Sequence, residues 1–264
     1  MTHDPHHNPL LHPPGSVVYT QVDPPQRPPT RPIVVPYAVY ALIVLNVIVF
    51  AITGLRGGLF ETNIDVLYRF GMLDAPAVWQ GQWWRLLSSM FLHGGLMHIV
   101  FNMWALRNLG TDLERIYGKR AFTVLYLGAG WTGSLCSLVY SNPAIGSVGA
   151  SGAIFGLAGA WLAIALRRKE YFQDFGKQVL LVIVVNLWFS YAARSVIDIH
   201  GHIGGLCGGF VLGLIMPNKL PEFRGATWRW PVSIAALSVF LFATPFAVRL
   251  SQERGQPEVE RFGP

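Results

Sequence analysis

Seven apolar stretches punctuate the chain, near 34–54, 90–110, 121–141, 149–167, 178–194, 201–217 and 230–249, separated by segments that hold most of its charged and turn-forming residues. Crossing the hydrocarbon core takes about 20 helical residues at about 1.5 Å rise each. Lipid offers backbone N–H and C=O groups no partners, so every one of these stretches predicts a membrane-spanning helix. The second is the least apolar and is read as a span partly from the company it keeps. The expected fold class is therefore all-α: a polytopic transmembrane helical bundle, with six helices in residues 33–217. Residues 218–264 add a linker, a seventh helix and a short tail. Residues 1–32 break the pattern. They are dense in proline and histidine, with too few apolar residues to offset the entropy of ordering, and read as a disordered cytoplasmic tail.

Composition agrees with the pattern. Only 13% of residues are charged, against roughly 25% in soluble domains. The net charge of +6 would suggest nucleic acid in a soluble chain, but here the basic residues sort by side. Thirteen of the 20 Lys and Arg fall on the side of the N-terminus and seven on the other, which predicts a cytoplasmic N-terminus. No basic cluster interleaves with aromatics, so no nucleic-acid surface is expected. Residues 1–32 hold no apolar run, so no cleavable signal peptide is expected and the first apolar helix should act as the insertion signal. A bacterial inner membrane is the expected location. The first outer loop, about 55–89, carries Trp79, Trp83 and Trp84 and is expected to lie in the outer interface, where tryptophan is favoured. Cys136 and Cys207 have no metal-ligand spacing and read as small buried residues. His3, His6, His7 and His12 have no fixed scaffold or cysteine partners, so no metal site is assigned.

Polar residues inside apolar helices are costly and are functional candidates by default. Ser151, in the run Gly149-Ala150-Ser151-Gly152, opens the fourth apolar helix. There the macrodipole and free N–H groups favour a developing negative charge. His202, which opens the sixth, shares one face with Gly205, Gly209 and Gly213. That stripe lets a neighbouring backbone come close, and the fourth helix offers small positions at Gly152, Gly156 and Ala160. Packing of the two would bring the imidazole within hydrogen-bond reach of Ser151, as a nucleophile and its base require. His98 and Asn102 lie four apart on one face of the second helix and both can donate, as at an anion site; taken alone such a pair is more often interhelical glue. Asn46 and Asn186, without such company, read as glue. Gly-Ala-Ser-Gly is not the Gly-x-Ser-x-Gly elbow of α/β hydrolases, because position 153 is Ala and no strand precedes it. Asp198, four residues before His202, falls in the loop ahead of the helix and is not taken as a third member.

These motifs together resemble the rhomboid intramembrane serine proteases. The match runs through Trp84-Arg85, His93-Gly94-Gly95-Leu96-Met97-His98-Ile99-Val100-Phe101-Asn102, Gly149-Ala150-Ser151-Gly152 and Gly201-His202-Ile203-Gly204-Gly205, in order, between about 34 and 217. The resemblance implies a six-helix core with one added helix, and a dyad of Ser151 as nucleophile and His202 as general base. It also implies an oxyanion hole from the Ser151 N–H with His98 and Asn102, structural roles for Arg85 and His93, and Phe155 stacked on the histidine. Gly149, Gly152 and Gly205 are the supporting positions. No metal or organic cofactor is implied. The implied partners are transmembrane protein substrates within the lipid bilayer; natural substrate, pathway and oligomeric state stay open.

Two other readings make different demands. A non-catalytic rhomboid-like client-binding protein would lack the serine or the histidine. A transporter or channel would show charged pairs or broken helices at mid-membrane.

Overall fold

The computed structural model describes residues 35–168, 173, 176–194, 196–218 and 229–255. The tail expected at 1–32, with its histidines, and the linker beyond 218 lie outside them. Most of the described residues are helical, with α1 (Tyr37–Gly57), α2 (Ile64–Arg69), α3 (Ala75–Trp79), α4 (Arg85–Ser88), α5 (Leu96–Tyr117) and α6 (Lys119–Tyr140), then α7 (Ser151–Arg167), α8 (Lys177–Ala192), α9 (Ile199–Ile215) and α10 (Arg229–Gly255). Their one β element is an isolated bridge between Leu73 and Ser147. The protein is a helical membrane bundle.

The seven long helices fall on the seven apolar stretches but differ in reach. By length and composition α1, α6 and α10 can each cross a membrane. Helices α7, α8 and α9 have 17, 16 and 17 residues, about 24–26 Å at 1.5 Å per residue, short of a hydrocarbon core of about 30 Å. The second stretch is displaced from its expected 90–110. A 3-10 turn at Ser89–Phe91 follows α4, and the chain then bends by 94° into α5. The corner is Gly94-Gly95, where a side chain at Gly95 would collide with the Phe60 carbonyl oxygen. Hydrogen bonds Thr62 N–H to Gly94 O (2.9 Å) and Leu96 N–H to Leu59 O (2.8 Å) hold it.

Helix α1 begins after Pro36, which has no side chain to cap it. Buried Glu114 of α5 takes that place, its carboxylate accepting from Ala38 N–H (3.0 Å) and Val39 N–H (2.9 Å). An anion on a helix N-terminus satisfies orphan donors and complements the dipole. Gly118, at φ +78°, alone joins α5 to α6.

The loop between α1 and α5 is built rather than extended. Buried Arg85 donates from Nη1 to the carbonyls of Tyr68 (2.8 Å) and Met72 (2.9 Å) and from Nε to Gln82 (2.8 Å). It pins α2 to α4. Trp83 and Trp84 are exposed, whereas Trp79 turns inward and donates to Ser251 of α10 at 3.1 Å. Helix α9 sits between α7 and α6, and α10 packs on α6 and α3. The cysteines correct the expectation of burial. Cys207 is exposed and Cys136 half-buried, because α9 buries its glycine face and turns Ile203, Cys207 and Val211 outward.

Candidate active site

Ser151 is the first residue of α7. Glycine at 149 takes φ +128°, a conformation that side chains disfavour, and this aims the chain into the helix. The approach is anchored on both sides. Leu73 and Ser147 exchange backbone hydrogen bonds (3.0 and 2.9 Å), and Gly149 N–H donates to Ser89 O at 2.9 Å. The first N–H groups of α7 have no partners within the helix, so they surround the serine with donors.

His202 stands in the first turn of α9, which Asp198 caps by accepting from Gly201 N–H at 2.9 Å. The glycine face of α9 meets α7 in parallel register. Cβ atoms added at Gly205 and Gly209 would collide with the carbonyl oxygens of Gly152 and Gly156, and one at Gly213 would lie 2.8 Å from Ala160 Cα. At this separation His202 Nε2 lies 2.8 Å from Ser151 Oγ. Phe155, one turn into α7, stacks on the imidazole with centroids 4.3 Å apart and planes 17° from parallel.

His98 and Asn102 face the same space. Gly94 N–H approaches His98 Nδ1 at 3.4 Å. A backbone N–H can only donate, which makes Nδ1 the acceptor and leaves Nε2 to carry the ring hydrogen. A Cβ at Gly149 would fall 2.8 Å from that Nε2 and 3.6 Å from Ser151 Oγ, so both atoms border one small volume. Asn102 Nδ2 gives one hydrogen to its own helix, to His98 O at 2.9 Å, and keeps a second. His93 is fully buried behind them, its ring edge-on to His98 at 5.1 Å. A cavity of about 1520 Å³ reaches Ser151, His202, His98, Asn102, Asn186 and Ser190. It admits a polypeptide segment and water together. Among the described residues no group of three or more His, Cys, Asp or Glu is placed to hold a metal.

Two features of the site escaped the sequence reading. Ser190 of α8 places its hydroxyl 2.9 Å from His202 Nδ1 and 2.7 Å from Asn186 O. Asp198 accepts from the hydroxyls of Ser141 and Ser147, both at 2.8 Å, as well as capping α9. It thereby ties the loop leading to Ser151 to the helix bearing His202. Burial pushes its pKa up, but hydrogen bonds from Ser137, Gly201 N–H, Ser147 and Ser141 outweigh this and hold the carboxyl below its ordinary value. A hydroxyl on an apolar helix reads as local back-bonding, so nothing in the sequence singled out Ser190. Asn186 is a correction: it is exposed, lines the cavity and donates to Val182 O of its own helix at 2.8 Å, and so is not interhelical glue.

Comparison with known proteins adds a family. A family model described as a rhomboid domain matches residues 80–219. The chain is 44% identical to the rhomboid protease GluP of Bacillus subtilis over 66% of its own length and 34% of that protein's. It is 36% identical to the putative rhomboid protease YdcA of the same organism, over 53% of this chain and 70% of the other. RHOMBOID-like protein 5 of Arabidopsis thaliana is 36% identical over 60% of this chain and 52% of its own length. The match thus spans about a third to two thirds of these relatives.

Proposed function

The chain belongs to the rhomboid family, and on that premise we propose that it is an intramembrane serine protease, with Ser151 as nucleophile and His202 as general base. The observation that carries this reading is the 2.8 Å contact between Ser151 Oγ and His202 Nε2 at the wall of a cavity large enough for substrate and water. It favours hydrolysis over client binding, which needs neither group.

Chemically, the Ser151 proton passes to Nε2 as Oγ bonds to the scissile carbonyl carbon. The resulting oxyanion meets the Ser151 N–H, His98 Nε2–H and Asn102 Nδ2–H, donors held in place before charge develops. Imidazolium then protonates the leaving amine as the C–N bond breaks. Water, deprotonated by the same nitrogen, releases the acyl group and restores Ser151. None of these steps calls for a metal or organic cofactor. A helical substrate hides its carbonyls in i to i+4 hydrogen bonds, so it must unwind to enter. Transmembrane segments with Gly or Pro near the cut, and small residues before it, are the favoured substrates. The distribution of Lys and Arg supports a cytoplasmic N-terminus, with the cavity opening to the opposite side; the membrane in this reading is a bacterial inner membrane.

The test is cleavage of a single-span model substrate by the purified protein in liposomes. Wild type is expected to release a defined product, and Ser151→Ala and His202→Ala to release none while staying folded. An inert wild type, or turnover by Ser151→Ala, overturns the reading.

A further inference from the structure

We infer that Ser190 is a positioning residue that fixes the tautomer of His202, completing a relay Ser151–His202–Ser190 that ends on a backbone carbonyl. Its effect on rate rests on the protease reading above; its geometry does not.

The directions of the hydrogen bonds follow from counting hydrogens. Ser190 Oγ lies 2.7 Å from Asn186 O and 2.9 Å from His202 Nδ1. The hydroxyl has one hydrogen and the carbonyl can only accept. If that hydrogen pointed at Nδ1, two oxygen lone pairs would face each other at 2.7 Å. It therefore goes to Asn186 O, one turn back along α8, and Ser190 must accept from His202. This requires a hydrogen on Nδ1, so in the neutral ring Nε2 is bare. Nε2 is the atom 2.8 Å from Ser151 Oγ, and a bare nitrogen there accepts the serine proton. The opposite tautomer would place an N–H against Ser151 and could take no proton from it. Phe155 fixes the ring plane by stacking, but a stacked ring does not distinguish its two nitrogens. Asp198, the nearby carboxylate, is occupied with Gly201, Ser141 and Ser147. Ser190, buried on a separate helix, is the side chain that makes the distinction.

No proton moves to Ser190 in the cycle. When Nε2 takes the Ser151 proton the ring becomes cationic, while its Nδ1–H continues to donate to Ser190 Oγ. That hydrogen bond becomes charge-assisted at the moment of reaction. Its loss should therefore lower kcat more than it alters KM.

The experiment uses the full chain, purified and labelled with 15N-histidine, with the His202 ring assigned by its disappearance in His202→Ala. In wild type the neutral ring is expected to carry hydrogen on Nδ1. Ser190→Ala removes only the oxygen and should shift the ring toward the Nε2–H form. It should lower kcat by about 5- to 100-fold at unchanged KM, as expected when a buried donor loses its partner. Ser190→Thr keeps the hydroxyl and should keep the Nδ1–H form. An Nε2–H ring in wild type, an unchanged tautomer in Ser190→Ala, or a kcat loss below about threefold overturns the assignment. If wild type cleaves nothing the protease reading fails, and the tautomer comparison still decides the role of Ser190.

Discussion

Gly205 of α9 lies directly on the carbonyl of Gly152, the residue after the candidate nucleophile, with no room for even a methyl group between the two helices. The separation of Ser151 from His202 is therefore set by a missing side chain. Gly205→Val should drive α7 from α9, and a displacement of about 1 Å can cost about a hundredfold in rate. Cys207→Val adds a β-branched side chain to the same helix at an exposed position and should be nearly silent. Cleavage rates and thermal melts of the two variants side by side decide this. Equal rates would mean that the glycine face does not hold the pair.

That relationship was readable beforehand because it is periodic. Gly205, Gly209 and Gly213 recur on one helical face, and Gly152, Gly156 and Ala160 mirror them. Ser151 and His202 stood out because a polar group in an apolar helix needs a reason. The helices were legible from runs of apolar residues for the same reason. What stayed hidden has no period. Glu114 sits in a charged helix end, where nothing marks it as the cap of a distant α1. Ser141 and Ser147 lie in a loop whose partner, Asp198, is some fifty residues on. The placing of α2 against α4 depends on Arg85 reaching three backbone and side-chain acceptors at once, a tertiary effect that no local pattern encodes.

Charge stabilisation is tested at α5. Asn102→Ala removes one amide donor from the cavity and should slow turnover by about 10- to 1000-fold, roughly 1.4 to 4 kcal/mol of transition-state stabilisation. His98→Ala should behave similarly, since it removes the Nε2–H that borders Ser151. Substrate KM should move less than kcat in both. A variant that lost binding with kcat intact would instead assign its residue to holding substrate.

Gly149→Ala tests the loop. Its φ of +128° strains any side chain, and the new methyl would press on His98 Nε2 at 2.8 Å. The variant should lose activity more sharply than stability, because the strain falls where the His98 donor and the Ser151 hydroxyl converge. A melt shifted strongly downward with turnover preserved would place the function of Gly149 in folding alone.

Asp198 makes the stability of the site depend on acid. Its carboxyl titrates below its ordinary value of 3.8 in the folded protein. The unfolded chain therefore binds a proton at higher pH than the native one does. The stabilisation is complete above the unfolded value and is lost as pH falls through the folded one. Protonation would turn one carboxyl oxygen into a donor, at the cost of either the Ser147 hydrogen bond at Oδ2 or those of Ser141 and Gly201 N–H at Oδ1, and loosen the Ser151 loop from α9. Asp198→Asn cannot accept from all of these donors at both oxygen positions, so it should be less stable than wild type at neutral pH. The gap between the two should close as acid protonates the wild-type carboxyl. Thermal melts of the two proteins from pH 7 down to about pH 3, spanning the usual carboxylate range, read this directly. A constant difference in melting temperature across that range would show that Asp198 is not the group through which acid acts.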